Sequence, residues 1–191
     1  MKKSAILIFL ILNTGLLSFA QTNKGARSSA DTFDRAWLSA GLGISSDFPG
    51  YDIGIFAVRG EHCFSVRFNH MEEFNLDLFG PQPDDSRDEV SLAYGRCLAS
   101  GNMIALAAAG VCLVNSTTYQ VIGWYSNDPD NWFDDQAIYQ KVNRSQYGLM
   151  VQGQVLWSSK YFGLGPGFTA SFTGEKGYLS AFLDIAIGNL R

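Results

Sequence analysis

The sequence predicts an all-β fold, an eight-stranded antiparallel up-and-down transmembrane barrel, and three observations predict it. Between residues 37 and 190 the chain breaks into eight segments of roughly ten residues, with apolar side chains at every second position, the period of a strand. The links between segments are very short at one end of the sheet and include two long ones at the other. Most charged residues inside the segments fall with the small, polar set and not with the bulky apolar set. In a soluble sandwich the apolar set would be the core. In a lipid bilayer the assignment reverses, so that the bulky row meets lipid and the small row faces a narrow lumen.

The first segment, "WLSAGLGISS" (37–46), sets Leu38, Ala40, Leu42 and Ile44 against Trp37, Ser39, Gly41 and Gly43. The second, "YDIGIFAVR" (51–59), opposes Tyr51, Ile53 and Ile55 to Asp52, Gly54, Phe56 and Val58. Across Gly60 and Glu61 the third, "HCFSVRFNHM" (62–71), opposes Phe64, Val66 and Phe68 to Cys63, Ser65, Arg67 and Asn69. The fourth, "DEVSLAYGRCLAS" (88–100), places Val90, Leu92, Tyr94 and Leu98 opposite Glu89, Ser91 and Cys97 before a turn at Gly101 and Asn102. The fifth, "MIALAAAGVCLVNS" (103–116), is apolar on both faces, and alternation leaves its inward face open. In the sixth, "QYGLMVQGQVLWS" (146–158), Tyr147, Leu149, Val151, Val155 and Trp157 oppose Gln146, Met150, Gln152 and Gln154.

The seventh, "YFGLGPGFTASFTG" (161–174), has the sharpest contrast: Phe162, Leu164, Pro166, Phe168 and Phe172 on one face, three glycines, Thr169 and Ser171 on the other. Pro166 has no N–H for the ladder, which predicts a bulge or local opening there. The eighth, "GYLSAFLDIAIGNL" (177–190), sets Leu179, Leu183, Ile185 and Ile187 against Phe182, Asp184 and Ala186.

With the N-terminus on the periplasmic side, the links "GE", "GN" and "SSK" all lie in the periplasm, and the long links at 72–88 and 117–145 lie outside. That is the loop asymmetry of an outer-membrane barrel. Asp52, Arg67, Glu89, Gln152, Gln154 and Asp184 share the inward parity and form the expected polar network of the lumen. Eight strands enclose a space that side chains can fill, so this set plugs the interior and lines no wide pore. Arg59 and Arg96 take the outward parity near the periplasmic ends of their strands, where long side chains reach the headgroups. Closure of the first strand on the eighth is required, because an open edge in lipid leaves backbone groups unpaired.

The opening "MKKSAILIFLILNTGLLSFA" has two lysines, an apolar run and small residues before Ala20, the order of a cleaved secretory signal peptide. The organisation expected is a signal peptide at 1–20, a short N-terminal segment at 21–36 and a barrel at 37–191. Net charge is −4 over 191 residues, and loss of Lys2 and Lys3 makes the remainder more acidic, which offers nothing to nucleic acid. The apolar run "MIALAAAGVCLV" falls short of the ~20 residues of a spanning helix. Of the three cysteines, Cys63 and Cys97 share lumen parity at the periplasmic level, and a disulfide joins them if the register pairs them. The other reading makes all three small buried residues.

On these alternating segments and link lengths the chain resembles the small eight-stranded outer-membrane barrels of Gram-negative bacteria. These are the types of outer-membrane protein X and of the outer-membrane protein A barrel, together with the Bacteroidetes "outer membrane protein beta-barrel" proteins. The resemblance covers roughly residues 35–191 and is one of pattern. It implies residence in the outer membrane, with outer-membrane lipid as the immediate partner.

Chemistry is sparse. His62 and His70 stand at opposite ends of one strand, roughly 25 Å apart at ~3.3 Å per residue, and share neither a metal nor a proton relay. No cofactor and no enzymatic activity are expected. The distinctive external stretch, "YQVIGWYSNDPDNWFDDQAIYQ" (119–140), combines Trp124, Tyr125, Trp132 and Phe133 with Asp128 and Asp130. Such a mixture suits contact with a cell-surface protein or a carbohydrate, and its acids can gather round calcium, though without EF-hand spacing. The expected function is structural or surface-adhesive, carried by the external loops. Two other classes compete: a soluble periplasmic or secreted barrel with a lipid or apolar ligand inside, and a lipid-modifying outer-membrane enzyme.

Overall fold

The computed structural model describes residues 33–46, 48–73, 83–126 and 135–190. Its eight strands are β1 (Arg35–Ser45), β2 (Pro49–Arg59), β3 (His62–Glu72), β4 (Ser86–Ser100), β5 (Met103–Ser126), β6 (Asp135–Ser158), β7 (Phe162–Thr173) and β8 (Gly177–Asn189). Each pairs antiparallel with its sequence neighbours, and β8 returns to β1 from Ala36↔Asn189 to Ser45↔Ser180 to close the barrel. Closure removes the free edge that lipid would not tolerate.

The observed burial follows the expected parity. Leu42, Ile55, Val66, Leu92, Phe168 and Leu183 are exposed round the outside, while Asp52, Arg67, Glu89 and Asp184 are buried within. This is a barrel turned inside out with respect to a soluble core. In β5, whose sequence does not declare a face, Ile104, Leu106, Ala108, Cys112 and Val114 point inward. The register decides it: Cys112 lies opposite Ser91 and Val114 opposite Glu89, and directly opposed residues share a face.

The two-residue turns between β2 and β3 and between β4 and β5 have glycine first, Gly60 at φ 62° and Gly101 at φ 55°, each followed by a residue with ordinary φ. That is the Gly-X order of a type II′ hairpin turn. At Pro166 the β6–β7 ladder stops after Gln154↔Gly167 and resumes at Trp157↔Leu164 in the same register, a local opening as expected.

Two boundaries differ from the sequence reading. The connection expected at 117–145 is largely a two-stranded ribbon, because β5 and β6 each run for 24 residues where β1, β2 and β3 have 11. Beyond Thr117 β5 pairs only with β6, and before Gly148 β6 pairs only with β5. The ribbon rises about 30 Å past the barrel at ~3.3 Å per residue. Its Val121, Ile138, Tyr139 and Val142 are good strand formers, and a register shift between Val121 and Gly123 leaves Ile122 as an extra residue. The connection expected at 72–88 narrows likewise, since β4 begins at Ser86 and Glu73 N donates to Asp85 O at 2.8 Å. The signal peptide at 1–20 lies outside the described residues, and β1 takes in Arg35 and Ala36 from the segment expected at 21–36.

Candidate functional site: the polar lumen and the external mouth

In the ladder Gly41 lies between Asp52 on β2 and Asp184 on β8. A Cβ on Gly41 would overlap both carboxylates, and one on Gly167 would overlap Asp184. Part of the glycine row of β1 and β7 is therefore room for acids. Arg67 reaches across from β3: its Nε donates to Asp52 Oδ2 at 3.1 Å, its Nη2 donates to the same oxygen, and Asp184 Oδ2 lies 3.7 Å from that Nη2. Gln154 Nε2 donates to Asp184 Oδ2 at 2.6 Å. The rings of Phe56 and Phe182 approach the guanidinium with centroids at 5.9 and 5.5 Å.

The rest of the network lies beside this cluster. Gln152 Nε2 donates to Ser65 Oγ, and the Ser171 hydroxyl is 2.7 Å from both oxygens of Glu89. All six residues expected in the lumen are buried there. Buried charges are tolerated only when paired and hydrogen-bonded, and here one arginine serves two aspartates. Towards the end of the barrel that holds the two-residue turns the filling turns apolar, with Val58, Ile104, Leu156 and Leu190 all buried and Trp37 stacked on Phe56 at 5.1 Å. Trp37 thus belongs to the lumen, whereas Trp157 and Tyr161 are exposed outside the barrel wall.

The cysteine bridge considered from the sequence is not formed: Cys63, Cys97 and Cys112 are free and buried. The register opposes Cys63 to Gly95, two residues short of Cys97. The histidines remain separate. His70 Nδ1 is 2.7 Å from Asp88 Oδ1 and its Nε2 3.6 Å from Glu72 Oε2, while His62 Nδ1 meets the Tyr94 hydroxyl. Among the described residues no group of His, Cys, Asp or Glu is arranged to hold a metal. Of the external contact residues, Trp124 and Tyr125 are exposed near the end of β5. Asp128, Asp130, Trp132 and Phe133 lie outside the described residues.

Several inward residues escaped the sequence reading. Arg87 is buried, stacks over the Tyr178 ring at 4.1 Å, and donates to Ser45 Oγ at 2.8 Å and to Ser180 Oγ at 3.3 Å. Its signal was present, since it shares the parity of Glu89, but the strand was begun one residue too late to include it.

No protein-family model matches the chain, and no curated protein matches it in sequence. Solved structures do match in fold. The N-terminal β-barrel domain of Pseudomonas aeruginosa OprF aligns over 82% of this chain and 98% of its own, with a TM-score of 0.55 at 10% identity. Ail, the attachment invasion locus protein of Yersinia pestis, aligns over 82% and 99%, with a TM-score of 0.56 at 9% identity. A major outer membrane protein from Thermus thermophilus aligns over 81% and 98%, with a TM-score of 0.58 at 11% identity. The fold is a closed, eight-stranded antiparallel barrel that resembles these small outer-membrane barrels, and identities near a tenth assign no family.

Proposed function

We propose that this chain is an outer-membrane barrel of a Gram-negative bacterium, delivered by a cleaved signal peptide, with a structural or surface-adhesive role and no enzymatic activity. The observation that carries the reading is the pairing of a filled lumen with a projecting ribbon. Arg67 and Asp184, at 1% and 0% exposure, leave no wide passage at mid-barrel. The β5–β6 ribbon instead offers Val121, Ile122, Trp124 and Tyr125 exposed beyond the barrel. Exposed aromatics on a ribbon that projects past the barrel suit contact with a protein or carbohydrate on another surface. Ail is one small barrel of this fold that has been crystallised with a ligand, the heparin analogue sucrose octasulfate.

The competing soluble barrel needs Phe162, Leu164 and Phe168 inside, and all three are exposed. A rim enzyme would have to be built round His70, whose two ring nitrogens face carboxylates. The test is retention of expressing bacteria on an epithelial monolayer and in self-aggregation, comparing the full chain with one whose residues 119–141 are replaced by Asn-Gly. Loss of retention on deletion supports adhesion through the ribbon. Equal retention, with the barrel present at the surface, removes the adhesive role and leaves the structural one.

A further inference from the structure

Asp52 on β2 and Asp184 on β8 flank Gly41 in the ladder, so their backbones stand two strand spacings of ~4.8 Å apart. Their side chains lean together over the bare glycine, since a Cβ there would overlap Oδ1 of both. Those same two oxygens are buried and accept no hydrogen bond among the described residues, and the carboxyl groups stand within hydrogen-bonding reach of each other. The other two oxygens are taken. Asp52 Oδ2 accepts from two nitrogens of Arg67, and Asp184 Oδ2 accepts from Gln154 at 2.6 Å.

Two ionised carboxylates do not meet in this way: neither has a donor for the other, and like charges in contact away from water do not both persist. One proton supplies the missing donor and removes one of the charges. The surrounding groups call for the same proton. Among the described residues the buried acids are Asp52, Glu89 and Asp184, and the buried cations are Arg67 and Arg87. Arg67 of β3 reaches both aspartates, while Glu89 of β4 lies in the fields of Arg87, on its own strand, and of Arg67. Gly41 of β1, Gly167 of β7 and Gln154 of β6 add no charge to the pair, the Cys112 thiol of β5 lies by Glu89 and Ser171, and Tyr178 of β8 lies under Arg87. Three acids against two arginines leave one carboxyl with no counter-charge, and a buried group in that position is neutralised.

We infer that Asp52 and Asp184 form a proton-binding site in the lumen, in which a neutral Asp184 carboxyl donates from Oδ1 to Oδ1 of the ionised Asp52 that Arg67 holds. The native barrel then binds one proton more than the unfolded chain at neutral pH. Its stability falls as pH rises, the reverse of an ordinary ion-paired carboxylate, which loses its contribution as pH falls.

The test uses the full mature barrel refolded in a phosphocholine detergent at neutral pH, read by infrared spectroscopy for the carbonyl band of a neutral carboxylic acid. The band is expected in the folded protein and is expected to shift when aspartate is isotope-labelled at its carboxyl carbon. It should vanish in both Asp52→Asn and Asp184→Asn, because either change leaves Arg67 a single carboxylate. Urea unfolding gives a second readout: through the neutral range the folding constant of the native sequence should fall relative to Asp184→Asn by up to about tenfold per pH unit, the slope of one proton. The labelled native protein identifies aspartate without any substitution, so the test holds if a variant fails to close. No band, a band that the aspartate label leaves in place and that therefore belongs to Glu89, or equal pH slopes for the native sequence and Asp184→Asn would each overturn the assignment.

Discussion

Gly163, Gly165 and Gly167 look equivalent in sequence but occupy three different surroundings. A Cβ on Gly163 would meet Leu190, Leu156 and Ala186 at 3.4 to 3.6 Å, ordinary contact, whereas one on Gly165 would overlap the Val155 carbonyl oxygen in the neighbouring strand. Gly163→Ala is therefore expected to leave stability nearly unchanged, and Gly165→Ala to cost ~1–3 kcal/mol in urea unfolding from micelles, the usual cost of overpacking. Equal effects would contradict this assignment. Arg67 gives a larger prediction at the same scale. Arg67→Met strands Asp52 and Asp184 in the lumen, and removing one partner from a buried ion cluster costs ~3–5 kcal/mol. Adding Asp52→Asn and Asp184→Asn is expected to recover much of the loss, and no recovery would show that packing and not charge holds the layer. The members of this cluster were legible from parity alone, because a charge in a spanning strand has only the lumen to enter. Their partners were not, since Gln154 meeting Asp184 depends on tilt and on where the side chains reach across the barrel.

At the level of elements, alternation was readable wherever lipid and lumen impose opposite demands, as in β7 and β8. It failed in β5 because alanines satisfy both sides, and only the register against Glu89 and Ser91 settles the face. It failed again beyond Thr117, where both faces of the ribbon leave the bilayer and neither needs to be apolar. Because β5 and β6 pair only with each other there, replacing 119–141 by Asn-Gly is expected to preserve barrel closure, measured as the mobility difference between boiled and unboiled samples. Loss of that difference would make the ribbon part of the folding unit. The cysteines follow the same logic of register. Cys63 opposes Gly95, so all three thiols should resist alkylation in the folded barrel and all three should react after denaturation without reductant. Only one reactive thiol after denaturation would restore the bridge.

For the whole molecule, the inside-out arrangement makes one claim above the others: the exposed apolar band is a lipid-facing surface. A charge should be costly within the band and cheap above it. Val66→Arg at the middle of β3 is expected to destabilise by ~2–4 kcal/mol, the cost of a cation near the bilayer midplane, while Val121→Arg on the ribbon should change little. Similar costs at both positions would deny the band its lipid contact. Closure, the filled lumen and the external mouth all take their meaning from that contact. The most direct measurement is to express the full chain in a Gram-negative host, purify the outer-membrane fraction, and compare its migration in SDS gels with and without boiling. The account predicts that the protein is in that fraction and that its mobility changes on heating. A protein found in the soluble periplasm with no heat-dependent shift would contradict it.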